Sequence, residues 1–404
     1  MMAPVTRARR RRLRAPGATP LLLVTLVGLL ACAVPWILHE ERESDARAVA
    51  VPRPRPAQPR PKIIHRRQAA RRRLNLYAYD RVGMVSDAAV RAPARVYVPD
   101  SASDSVDVID PHTYRVVEHF PVGALPQHVT PAYDLKTLYV DDDVGNTLIP
   151  INPRTGRPGK SLAVDDPYNL YFTVDGRYAI VVAERLHRLD FRAPHTFRLI
   201  RALTLPCAGV NHMDFSANGR YAVVSCEFSG QLLKVDVRRP RVLAVRKLPQ
   251  AHAIPQDVRS SPDGKVFYVA DLAAGGVWEV EPRHLRILGF VHTGAGAHGL
   301  VVARNGRLLY VANRNAGSIS VMSFRTRRVI RTWRIPGGGS PDMGDVSADG
   351  RVLWLSGRFN SVVYAIDTRR WRLLARVPVG ASPHGLCVWP QPGRYSLGHT
   401  GNMR

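Results

Sequence analysis

Stretches with a helical hydrophobic period are nearly absent from this 404-residue chain, which excludes helix bundles and helix-covered parallel sheets at the outset. The motifs of familiar catalysis are missing as well. There is no G-x-S-x-G elbow, no Walker loop, no H-E-x-x-H and no clear Ser/His/Asp arrangement, so no catalytic residue is assigned. The run Gly337-Gly338-Gly339-Ser340-Pro341 is no exception, because a phosphate cradle opens a helix and this run leads into a strand. Acidic residues are scarce, 32 against 58 Lys and Arg, for a formal net charge of +26. Half of that excess is local: residues 1–73 hold 17 basic and 4 acidic side chains, 17 − 4 = +13. Overall basicity therefore says nothing specific about nucleic acid, and no specific nucleic-acid partner is expected.

What is present is a repeat. The phrases PQHVTPAYD, PYNLYFTVDG, VNHMDFSANG, PQDVRSSPDG, GAHGLVVARNG, PDMGDVSADG and SPHGLCVWP follow one another along the chain. Their marker residues His128, Asn169, His212, Asp257, His298, Asp342 and His384 lie 41 to 45 apart, the length of one four-stranded propeller blade. In the fifth unit GLVVA, LLYVAN, SISVMSF and VIRTWRI read as strands A to D. Asn305-Gly306 joins the first two, and equivalent Asp-Gly or Asn-Gly pairs stand at 175, 218, 263 and 349, supplying the positive backbone angles of a tight hairpin.

The seventh phrase is followed by only about twenty residues, too few for three more strands, whereas residues 94–123 read as strands B, C and D without an A. An unpaired last blade would leave an open sheet edge. The expected fold is all-β: a seven-bladed β-propeller over residues 76–395, closed by N-terminal strands joining the last blade, with a C-terminal tail at 396–404.

Before the ring stand a basic segment, 1–18, an apolar stretch, 19–38, and a Pro/Arg-rich stretch, 39–75, read as a disordered linker. Residues 19–38 are long enough for one transmembrane segment, with the basic flank cytoplasmic. Ala31-Cys32-Ala33 also resembles a signal cleavage site, and Leu29-Leu30-Ala31-Cys32 a lipobox. All three readings place the propeller outside the cytoplasm, held at the cell membrane, secreted or lipidated. Of the cysteines, Cys32 lies in the apolar stretch and Cys387 on an apolar strand. Cys207 and Cys226 flank one A–B hairpin, so antiparallel pairing can bring them to the same end as a disulfide or leave them as separate thiols.

Function in a propeller is sought at the channel mouth, where loops from every blade meet. Strand A starts and strand B ends on that face. The A starts contribute His128, Asn169, His212, Gln256, Asp257, His298, Asp342 and His384; the B ends contribute Asp142, Asp143, Glu184, Glu227, Asp271, Asn313, Arg314 and Arg358. Imidazole and carboxylate can hold a cationic or polyhydroxylated ligand or a divalent metal, although no cofactor is required by the sequence. Each polar marker can equally tie adjacent blades through buried backbone groups. Histidines on blades one, three, five and seven are expected to spread around the channel, against one compact zinc-like site. His212 with Asp214, Glu227 and Cys226 forms the tightest local grouping. Ordinary imidazole titration predicts binding lost between about pH 7 and 5.

The phrases LYVDDDVGN, FYVADLAAGG and LYVANRNAGSISV, preceded by PQHV, PQDV and AHGL, resemble the YVTN-type repeats of YncE-like and surface-layer-associated propellers over residues 94–390. The resemblance implies an extracytoplasmic seven-bladed ring, distantly similar to the heavy subunit of methylamine dehydrogenase and to the haem d1 domain of nitrite reductases. The chain departs from the d1 type in having seven blades, not eight, and no Cys-x-x-Cys-His. The expected role is a monomeric binding or interaction scaffold, for a small ligand or a protein or cell-wall partner. A metal-assisted lyase or lactonase, or an oxidoreductase subunit, is the alternative.

Overall fold

The computed structural model describes residues 74–404. The basic segment, the apolar 19–38 stretch and almost all of the 39–75 linker lie outside the described residues. Among the described residues no helix is long and apolar enough to cross a membrane.

Seven four-stranded antiparallel sheets form the ring. The innermost strands, A of blades one to seven, are Pro126–Pro131, Asn169–Phe172, Val210–Phe215, Pro255–Ser260, Ala297–Val302, Pro341–Val346 and Cys387–Trp389. Strands A to C are buried on both faces because each blade stacks between two others, while outer strands such as Arg328–Arg334 are largely exposed. The core is correspondingly divided into seven apolar clusters. In one of them Tyr171, Ile180 and Phe191 of blade two meet Met213, Phe215 and Val224 of blade three. Each such side chain contributes roughly 1.5–3 kcal/mol of burial.

The A–B turns depart from the sequence reading in one respect. Only the glycine takes a positive φ, 63° at Gly219, and the residue before it works through its side chain. Asn218 Oδ1 accepts from Ser216 Oγ at 2.9 Å and from the Arg220 amide at 3.1 Å. Asp175 and Asp263 do the same with Thr173 and Ser261.

The ring closes as expected: Arg95, Val96 and Tyr97 pair with Trp389, Val388 and Cys387, so the last blade takes strand A from one end of the propeller and B to D from the other. The face bearing the A–B turns is covered. Leu76 and Tyr77 bond Pro262 and Ser260, and Val85 bridges Pro392 and Gly393. Residues 396–404 do more than fold over that face. Gly398 bridges Tyr171, the Leu397 carbonyl accepts from Phe172 N at 3.0 Å, and His399 N donates to the Leu170 carbonyl at 2.7 Å. The segment runs into the channel along strand A of blade two.

Candidate functional site

On five blades the A–B register shifts at the start of strand A, at residues 126–128, 210–213, 255–258, 297–300 and 341–344. Such a bulge re-aims the side chains it contains. Hydroxyls of strand B brace two of these bulges: Ser225 bonds both His212 N and its carbonyl, and Ser356 bonds both Met343 N and its carbonyl.

The expected spread of the histidines does not occur. His128 lies with its ring centre 4.9 Å from His384, 5.0 Å from His399 and 5.6 Å from His212; His212 lies 4.9 Å from His399 and 6.1 Å from His298. All five are at most 3% exposed. The channel is narrow, and innermost segments of neighbouring blades bond one another around it. Val129 N donates to the Gly385 carbonyl at 3.0 Å, and a Cβ at Gly385 would run into the His128 imidazole. Ligand atoms of His128, His212 and His399 lie within 4.8 Å of one another, as do those of His298, Asp342 and His384.

Hydrogen bonding fixes what these rings present. The Tyr168 carbonyl, 2.9 Å from His128 Nδ1, can only accept, so Nδ1 carries the hydrogen and Nε2 is a bare lone pair. Among the described residues that Nε2 is buried without a partner, as are both nitrogens of His212 and Nδ1 of His384. Burial holds all five imidazoles below their usual range, His128 at about 3, so they stand neutral. Burial alone would raise the Asp342 carboxyl, but the Arg314 guanidinium 2.7 Å away leads the groups that hold it well below its usual range, so it is ionised. Asp342 lies 2.7 Å from Arg314 Nη2 and 2.8 Å from His298 Nδ1, the carboxylate–histidine contact that orients metal ligands. A neutral-imidazole set with one carboxylate suits a divalent transition metal, and the buried orphan nitrogens fit one here.

Other predicted residues are engaged by protein groups. Asp257 accepts from Arg259 at 2.9 Å and from Leu300 N of the next blade at 2.9 Å. Asn169 Nδ2 stands 3.2 Å from His399 Nδ1. Asp142 bonds Thr147, Asp271 bonds three amides and Trp278, and Asn313 bonds Thr293, Ser318 and Ser320. The grouping around His212 comes apart: Asp214 binds Arg404, Glu227 binds Asn211 and Gln256, and Cys226 is joined to Cys207 in a disulfide with Cα atoms 6.1 Å apart. Cys387 is a buried free thiol. Glu184, Glu227, Arg314 and Arg358 rim the mouth; Arg358 donates to Ser101 Oγ and the Ser382 carbonyl.

Two contributors were not assigned roles from sequence. Tyr168 packs edge-on to His128 and His212. It stands one position before its marker, as Gln127, Asn211 and Gln256 do, so aligning the repeats one residue earlier would have found it. His399 carried no such signal, being outside the repeat. A surface cleft of about 510 Å³ beside Tyr268 and Phe324 contains none of the candidate residues.

No curated protein matches the chain in sequence. Solved structures with the same fold include Kuenenia stuttgartiensis hydrazine synthase, 16% identical with TM-score 0.59, covering 69% of this chain and 94% of that one. A functionally unknown protein from Desulfotomaculum acetoxidans is 15% identical with TM-score 0.60, covering 74% and 99%. Virginiamycin B lyase from Staphylococcus aureus is 12% identical with TM-score 0.53, covering 63% and 84%. At these identities the likeness concerns the fold alone. The model of the YncE-like beta-propeller matches residues 82–393, and the chain belongs to that family.

Proposed function

We propose that this propeller works outside the cytoplasm, with residues 19–38 as anchor or signal, and that its channel holds one divalent transition metal ion beneath a mouth that admits a small ligand. The observation that carries the reading is His212, fully buried with neither ring nitrogen partnered among the described residues and with a ligand atom within 4.8 Å of one on His128 and one on His399. Leaving such groups unsatisfied is costly, and a metal ion removes the cost. His128, His212 and His399 would hold the ion. His298, Asp342 and His384 form the adjoining set. When bound, the ion would supply Lewis-acid or redox chemistry; the chain's own part is to keep its imidazoles neutral and shielded from water. The Cys207–Cys226 disulfide supports the oxidising compartment. Asp342 beside two histidines favours, as a second reading, a metal-assisted lyase or lactonase, which would turn over substrate where a scaffold only binds.

The test is metal content of the full chain after purification and dialysis, followed by reloading with cobalt. About one equivalent per chain is expected, with a ligand-field absorption that His128→Ala and His212→Ala remove. A wild-type chain that takes up no metal overturns the reading.

A further inference from the structure

The mouth above the histidines has two poles of opposite charge. On blades two and three the Glu184 and Glu227 carboxyls meet. Glu227 is held by Asn211 Nδ2 and Gln256 Nε2, each at 2.7 Å, while the buried Glu184 Oε1 has no hydrogen-bond partner. Burial and the neighbouring Glu227 push Glu184 up to about 9, so it keeps its proton at neutral pH. On blades five and six stand Arg314 and Arg358. Arg314 is matched by Asp342 at 2.7 Å; Arg358 has only neutral partners, Ser101 Oγ and the Ser382 carbonyl, each at 3.0 Å. The buried Tyr168 phenol is raised by burial and by Glu227 and Glu184 and lowered by Arg358 and Arg314, so the charges of both poles reach it.

We propose that this mouth binds a small zwitterion, its carboxylate on Arg358 and its protonated amine against Glu184 and Glu227. The proposal rests on the reading of the mouth as a ligand entrance and adds the class of ligand. A guanidinium fork matches a carboxylate, and this one lacks an anion. An ammonium set beside the glutamates lets Glu184 ionise, releasing one proton as the amine arrives. A ligand with one charge satisfies one pole and is repelled by the other, so the pair selects for both charges on one molecule.

Calorimetric titration of the full chain with glycine, β-alanine and 4-aminobutyrate, against acetate and methylamine, tests this, with metal content measured on every sample. One zwitterion should bind at least about tenfold more tightly than either single-charge probe, with proton release seen as a buffer-dependent heat. Arg358→Gln should weaken it by about thirtyfold with metal content unchanged, and Glu184→Gln should abolish the proton release. Zwitterions that bind no better than acetate, or an Arg358→Gln variant that binds as wild type does, overturn the proposal. A metal-replete protein that binds no zwitterion sinks this inference alone, and a protein that binds one without ever taking up metal sinks the metal reading alone.

Discussion

The channel has two halves that are equally buried and differently finished. Towards the A–B turns the buried charges of Asp214, Asp257 and Arg304 are met. Asp214 accepts from Arg404 at 3.0 Å, Asn402 at 2.9 Å and Ser260 N at 2.8 Å; Asp257 takes Arg259; Arg304 lies 2.6 Å from Asp80 and 3.2 Å from Asp345. Towards the mouth, His128, His212 and His384 leave ring nitrogens with no partner. The ion pairs around Asp214, Asp257 and Arg304 show that the same chain can match buried charges. The unpartnered imidazole nitrogens near the mouth are what the proposed metal ion would satisfy.

The largest effect separates the halves directly. Asp214→Ala strands the Arg404 guanidinium and should cost about 3–5 kcal/mol in denaturant unfolding. His212→Ala, in metal-free protein, should cost less than about 2 kcal/mol, because no hydrogen bond is lost. Equal losses would erase the distinction. Next comes metal itself: at a free concentration one hundred times Kd it should add about 3 kcal/mol to wild type and nothing to the His128→Ala/His212→Ala double variant, read as Tm with and without chelator.

Acid gives a smaller effect per step. An unfolded imidazole binds its proton near pH 6.5, but buried His128 only near 3. Between these values the unfolded state holds the extra proton, so acid favours unfolding. In chelator, wild type should therefore lose stability relative to His128→Gln by on the order of 1 kcal/mol for each pH unit below about 6.5. A difference that is flat with pH would place a charged His128 in the fold. Because burial holds these rings below their usual range, acid loss of metal binding is expected below the ordinary window of pH 7 to 5, which a pH titration of cobalt uptake checks. The smallest effect sets the floor: Lys265 meets Asp263 at 3.8 Å on the exposed surface, and Lys265→Ala should change stability by less than about 0.5 kcal/mol.

Much of the fold was legible in the sequence. The spacing of the seven markers fixed the blade count, because one blade is one supersecondary unit of constant length. Residues 94–123, reading as strands without a first partner, specified the closure seen between Tyr97 and Cys387. Cys207 and Cys226 were placed together by hairpin pairing alone. The candidate site was legible only as a set of types. Of the markers, His128, His212, His298, Asp342 and His384 converge, while Asp257 and Asn169 serve as braces.

By itself, then, the sequence determined period, strand order and where the A–B turns fall, all consequences of local spacing and pairing. The tertiary structure alone decided how wide the channel is and what fills it. Channel radius depends on how closely strands A approach one another, as at Gly385 against His128, and a repeat length carries no information about that distance. The entry of His399 is likewise a matter of packing: residues 396–404 lie outside the repeat, and only the free edge of the short strand Asn169–Phe172 draws them into the channel beside the other four histidines.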